Sequence, residues 1–290
     1  MSETFPNYSQ IYELTKRRLR GLKKLSEKRQ NFGMEDMVLL TLLGNMNQRL
    51  YTMFSLLELG ITDGVFPLQR TFFEMLVAYK AMLQSENKER YVQFYRNKNS
   101  FETSNKVHRM LSKSDPVKGS FEEWEIKFGE KYKNISQDEL ELVLNGKKGS
   151  KFKQWFELAA SKTFSELVQD IDVDPMVFYI CYDEPSNWVH PQRIEKNINP
   201  DDFEPVMALS FYGIMLSSLL RSCVFLYDSM ADFAEYIEIL ESKQLTNYGK
   251  SFSEYLDNFK IFIANKHKRI YNEEQEKEIA NDIKKIMKIN

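Results

Sequence analysis

A chain of 290 residues is long enough to bury a substantial core, and its 42 acidic and 40 basic residues leave a formal net charge of -2. That balance excludes a global pull toward nucleic acid or an anionic membrane, so only local patches could act that way. Abundant Phe and Tyr, with only 11 Gly and 8 Pro, favour long aromatic-packed helices over a loop-rich β sandwich.

The N-terminal MSETFPNYSQIY lacks a basic region followed by an apolar stretch, so no signal peptide is expected. A first helix is predicted from about Ser9 to Arg29, with Ile11, Leu14, Leu22 and Leu25 on its apolar side. Its other face carries Lys16, Arg17, Arg18, Arg20, Lys23, Lys24, Lys28 and Arg29, either a solvated face or a contact for phosphate backbones or an acidic partner. No aromatic stacking pattern interleaves with these charges, which favours the solvated face. Gly33 separates this helix from a second, about Met34 to Leu59, whose Leu39, Leu43, Met46, Leu50, Met53 and Leu57 recur at helical spacing. Gly60 is expected just past its end, and Asp63-Gly64 supplies a turn. A third helix is predicted from near Pro67, a good first-turn residue, to Gln84, and a fourth over Glu86 to Phe101.

From Glu102 to about Gly149 the chain turns polar and rich in turn signals, as in SKSDPVKGS and NGKKGS, which reads as short helices and mobile loops decorating a bundle. Helical packing is expected to resume over Phe152–Val168, and Asp174-Pro175 offers an N-cap followed by proline at the first helical position. Pro205–Ala234 is predicted as a long core helix. Its greasiest part, MALSFYGIMLSSLL, carries Ser and Gly and is interrupted by Arg221, which favours a buried helix over a membrane span. Ser251–Asn265 and Asn272–Ile289 add two amphipathic helices. The expected architecture is an all-α, multi-helix bundle with a polar, loop-rich middle insertion. It divides as residues 1–33, an N-terminal basic amphipathic helix; 34–240, the bundle core, with about 102–150 a mobile decoration; and 241–290, C-terminal helices packing on the bundle.

The polar side chains that stand out lie in PLQRTFFEMLVAYKAML and YICYDEPSNWVH. Arg70 and Glu74 sit four residues apart in an apolar helix; Tyr182, Ser186 and His190 follow at the same interval. Burying such groups is costly unless they meet partners, so these five are the candidate catalytic or binding residues. Two readings stand side by side. In one, Arg70 and Glu74 are an ion pair at the core edge and His190 is structural. In the other, Arg70 binds an anion, Glu74 orients it and His190 moves protons. Pro185 could interrupt the second stripe, and Pro191 biases His190 toward a helix end. Among the histidines, His108 and His267 lie in less aromatic surroundings.

Nucleotide-loop, zinc-protease and hydrolase-elbow motifs are missing from the sequence, as are Glu-x-x-His pairs for a di-metal bundle. Scattered Cys181, Cys223 and three histidines make no metal-ligand spacing, so no cofactor or metal is expected, and both thiols read as core fillers of a reduced, cytoplasmic protein.

The runs MFSLLELGITDGVFPLQRTFFEMLVAYKAML, ERYVQFYRNK and YICYDEPSNWVHP together resemble DUF5677, a bacterial family of unknown function, over about Met34 to Pro191. The resemblance implies a helical domain with an Arg-x-x-x-Glu helix (Arg70, Glu74) and a Tyr/Ser/His-Pro segment (Tyr182, Ser186, His190, Pro191), and it brings no activity. A weaker resemblance is to HEPN-type helical bundles, whose metal-independent ribonucleases pair an arginine with a histidine that follows after four to six intervening residues. Here Asp183, Glu184 and Pro185 stand where that arginine belongs, and the acidic side chains would repel RNA. The expectation is a cytoplasmic protein acting by binding or assembly with a protein partner, placed by analogy in phage defence or counter-defence, with no membrane role and a homodimer as the expected assembly. The alternative is a metal-independent ribonuclease using His190 as general acid/base and Arg70 to hold phosphate, so enzymatic activity stays an open question.

Overall fold

A computed structural model describes residues 7–29, 31–59, 61–96, 154–189, 201, 209–238 and 243–270. Every regular element among the described residues is helical, so the fold is all-α. In order these are α1 (Tyr8–Ser26), α2 (Met34–Glu58), α3 (Val65–Gln84), α4 (88–96), α5 (Trp155–Ala160) and α6 (Phe164–Asp170). There follow α7 (Pro175–Phe178), a π-helical turn (Tyr179–Asp183), α8 (Glu184–Val189), α9 (Leu209–Tyr236) and α10 (Lys243–Ile270). The expectations for Gly60, the 102–150 decoration, His108, His190 and the helix over Asn272–Ile289 fall outside the described residues.

The chain divides into two compact units: Met1–Phe32 with Leu39–Tyr79 and Val173–Asn290, and Gly33–Val38 with Lys80–Asp172. In the first, the α2 residues singled out by spacing, Leu39, Leu43, Met46, Leu50, Met53 and Leu57, are all buried. Four aromatic rings tie three helices together there. Tyr8 of α1 stacks on Phe54 of α2 at 4.3 Å, and Tyr255 and Phe259 of α10 meet these rings edge-on at 5.3 and 5.1 Å. Asn7 starts α1 by accepting from the Ser9 amide at 3.0 Å.

Helix α3 begins at Val65, two residues before Pro67, because Gly64 adopts φ 84° and turns the chain into it. It is held to α9 by polar contacts inside the core: Gln69 donates to Ser222 Oγ at 2.7 Å, and the Tyr79 hydroxyl donates to the Ser229 carbonyl at 2.7 Å. Segment Gly213–Tyr236 of α9 has the length and composition to cross a membrane, with half of that window buried inside the protein. Met215, Leu216, Leu219, Cys223, Leu226, Met230 and Phe233 are among its buried residues, which makes it a core helix of this unit.

In the second unit the stretch predicted to resume helical packing over Phe152–Val168 is two helices. Ser161 is left-handed (φ 56°) and ends α5, and Thr163 opens α6 with a capping box to Glu166. The buried Glu157 carboxylate serves both starts, accepting from the Gln154 amide at 2.6 Å and the Phe164 amide at 2.7 Å. Short polar capping chemistry overrode the apolar spacing. Likewise Asn87 caps 88–96 through the Arg90 amide at 3.1 Å. In the first unit, α10 starts at Lys243, earlier than its apolar pattern suggests.

Candidate functional site

Arg70 and Glu74 lie on α3 in the first unit, and the i, i+4 spacing brings them together as the sequence predicts: Arg70 Nε donates to Glu74 Oε1 at 3.1 Å. Their side chains keep 25% and 20% of their surface exposed, so the pair sits at the core edge, short of full burial. The Arg70 guanidinium lies over the ring of Tyr182, 5.5 Å from its centre. Tyr182 in turn stacks on Phe178 at 5.3 Å and leans on Phe73 at 5.8 Å. Burial raises its phenol pKa, partly offset by the Arg70 charge and a hydrogen bond to Arg70, so the phenol stays protonated well above neutral pH.

Ser186 completes the group, donating from Oγ to the Tyr182 carbonyl at 2.6 Å. Four of the five candidates are thereby assembled. The fifth, His190, lies outside the described residues, one position past the end of α8.

The local backbone explains the arrangement. Asp174 caps α7 by accepting from the Met176 and Val177 amides at 2.9 and 3.2 Å, with Pro175 at the first helical position as expected. Pro185 has no N–H to give, and its ring would clash with the carbonyl four residues back in a regular helix. The chain answers with a π turn over Tyr179–Asp183, closed by the Glu184 amide on the Tyr179 carbonyl, and runs on as α8 without a break. Pro185 therefore bends the hydrogen-bond pattern and leaves the stripe of Tyr182 and Ser186 intact.

The inserted residue of the π turn shifts the helical phase and aims Glu184 inward, where it is fully buried. Its carboxylate accepts from Trp188 Nε1 at 3.1 Å, the Tyr179 hydroxyl at 3.3 Å and Asn187 Nδ2 at 3.4 Å. Trp188 then packs on Phe66 of α3 at 5.1 Å. The sequence reading gave Glu184 an RNA-repelling charge; it is a buried hub. A phase shift of one residue carries no signal in a 3.6-residue pattern apart from the proline itself.

Arg18 is a second correction. Counted with the basic face of α1, it is 6% exposed and belongs to the inward stripe Tyr8, Ile11, Thr15, Arg18, Leu22 and Ser26. Elsewhere on α1, Lys16 pairs with Glu13 at 2.8 Å, Lys23 with Glu27 at 3.2 Å, and Arg29 lies over the Tyr236 ring, while Arg17, Arg20, Lys24 and Lys28 are exposed.

In the second unit, Arg90 reaches α5 through its carbonyls at Ala159 (2.8 Å) and Leu158 (3.4 Å) and the Ser161 hydroxyl (3.3 Å). That is C-terminal helix capping by a cation, a structural use of the side chain. Among the described residues no group of three or more His, Cys, Asp or Glu is placed to hold a metal ion. Cys181 and Cys223 are free and buried, and burial raises both thiols, Cys181 to about 12.

Comparison with known families finds a match to a family of unknown function (DUF5677) over residues 36–205, more than half of the chain and inclusive of all five candidates. No curated protein matches the chain. No solved structure matches it.

Proposed function

The chain belongs to the DUF5677 family, whose function is unknown, and from that premise we propose that it acts by binding or assembly, with the Arg70–Glu74–Tyr182 group as its recognition surface. The observation that carries this reading is how the four described candidates occupy one another. The Ser186 hydroxyl is spent on the Tyr182 carbonyl, and the Tyr182 phenol is held protonated by burial. Neither is thereby prepared as a nucleophile or a base near neutral pH. Arg70 is different: Glu74 fixes its Nε, Tyr182 supports its plane, and a quarter of its surface stays open. A guanidinium held this way is preorganised to take an anionic group of a protein partner with little further ordering. We place this activity in the cytoplasm, which suits two free thiols, and in phage defence or counter-defence by analogy alone.

The rival is the metal-independent ribonuclease, in which Arg70 holds phosphate and His190 transfers protons. The partly open Arg70 over Tyr182 is the observation in its favour. One experiment separates the two. Tagged full-length protein is recovered from its host beside folded Arg70→Ala and His190→Ala variants, and each is incubated with labelled RNA in chelator. Binding predicts a stoichiometric protein partner lost with Arg70→Ala, kept with His190→Ala, and intact RNA throughout. Cleavage by wild type that His190→Ala abolishes would replace the binding reading with the enzymatic one.

A further inference from the structure

Outside the family match, α1 carries an arginine, Arg18, whose Nε and Nη2 meet no hydrogen-bond acceptor among the described residues. Arg18 is 6% exposed, and its Nε and Nη2 are both buried without a hydrogen-bond acceptor. These two nitrogens form one edge of the guanidinium. Their N–H bonds run parallel and match two oxygens of a single oxyanion. A buried cation left without such an acceptor is strongly destabilising, and an arginine does not escape by losing its proton.

The surroundings are donors and rings. Burial lowers the Arg18 pKa, and the phenols of Tyr248 and Tyr227, on α10 and α9, act against that shift. Thr15 gives its proton to the Ile11 carbonyl at 2.7 Å, so the 3.0 Å contact between Thr15 and Tyr248 is donated by Tyr248. The Tyr227 ring stacks on Phe252 at 5.2 Å and on Tyr248 at 6.1 Å. Its hydroxyl comes so near α10 that a Cβ on Gly249 would lie 3.0 Å from it, and a side chain there would have to push the hydroxyl aside by a few tenths of an ångström.

We propose that Arg18 and Tyr227 form an anion-binding site in the first unit that takes a phosphate group, two of its oxygens on the Nε–Nη2 edge and a third on the Tyr227 hydroxyl. Three donors favour phosphate over a carboxylate, which has only two oxygens to offer. The phosphate could be free or borne on a nucleotide, and the chemistry at Arg18 is the same. This site is separate from the Arg70 group and does not depend on the function proposed for it.

The test is thermal melting and titration calorimetry of the full chain with inorganic phosphate, adenosine monophosphate and acetate, each against chloride at matched ionic strength. Saturable binding and a raised Tm with phosphate, and little with acetate, are expected. Stronger binding of the nucleotide points to a phosphate ester, and equal binding to free phosphate; either supports the site. Arg18→Lys keeps the charge without the fork and should weaken binding by roughly tenfold or more. Arg18→Met should abolish the response while leaving the phosphate-free Tm unchanged or higher, since an unpaired charge is removed. Tyr227→Phe, which deletes only the hydroxyl, should weaken binding with the fold intact. The proposal is overturned if wild type shows no phosphate-specific shift, if acetate matches phosphate, if Arg18→Met responds like wild type, or if Arg18→Met lowers the phosphate-free Tm.

Discussion

Glu184 shows how a single side chain can hold a segment. Its carboxylate takes hydrogen bonds from Tyr179, Asn187 and Trp188 within one stretch of helix, and Trp188 carries the link to Phe66 of α3. Glu184→Ala strands the Trp188 indole N–H and the Tyr179 hydroxyl, and should cost about 2–4 kcal/mol in denaturant melts; Glu184→Gln, which keeps an acceptor, should cost less. An unchanged midpoint for the alanine variant would show that the hub holds nothing. Arg70→Ala should be milder, about 1–2 kcal/mol, because the pair is only partly buried and the ring support of Tyr182 is what else is lost. The thiols give a third residue-level expectation. Buried Cys181 and Cys223, both raised by desolvation, should resist a thiol reagent at pH 8 in the folded protein and react at once in denaturant. Fast labelling of the native chain would contradict their burial.

At the scale of elements, polar chemistry sets the boundaries that apolar spacing leaves vague. The run over Phe152–Val168 has enough aromatic and aliphatic residues for one helix, yet Ser161 turns left-handed and Thr163 starts again. Thr163→Ala removes the cap on the Glu166 amide and should cost about 1 kcal/mol, measured by chemical denaturation. No loss would mean that Glu157, bonded to the Phe164 amide, suffices to start α6. The segment from Pro175 to Val189 teaches a related lesson. Asp174-Pro175 announces its start in the sequence, but the π turn beneath Pro185 does not announce the new phase it creates. The stripe Tyr182–Ser186 was legible because both lie on a run of contiguous helix, whereas the inward aim of Glu184 was not, since it depends on one extra residue in one turn.

For the molecule as a whole, the buried tyrosines imply a limit at high pH. Burial raises the phenols of Tyr8, Tyr79, Tyr248 and Tyr255 in one unit and that of Tyr91, to about 12, in the other. Unfolded, each titrates near pH 10, so above that value the unfolded chain has lost protons the native chain still holds. The stability these phenols contribute is fully present below pH 10 and is lost as pH climbs toward 12 and beyond. The Tm should therefore fall steeply above about pH 10, with tyrosinate absorbance rising together with unfolding. Stepwise tyrosinate formation in a chain that stays folded would count against the buried positions.

The helical class is legible in the chain alone, because 3.6-residue spacing such as that of Leu39, Leu43, Met46 and Leu50 needs no tertiary information to read. The sequence also marks which polar residues are conspicuous, because Arg70, Glu74, Tyr182 and Ser186 interrupt apolar runs. What these residues meet is a matter of packing: Tyr182 of a π turn lies under the guanidinium of α3, and Arg18 points into the core while Arg17 and Arg20 on the same helix face water. Period and composition are local properties of a chain. A partner more than a hundred residues away, or the side of a helix that another helix comes to cover, is set by packing.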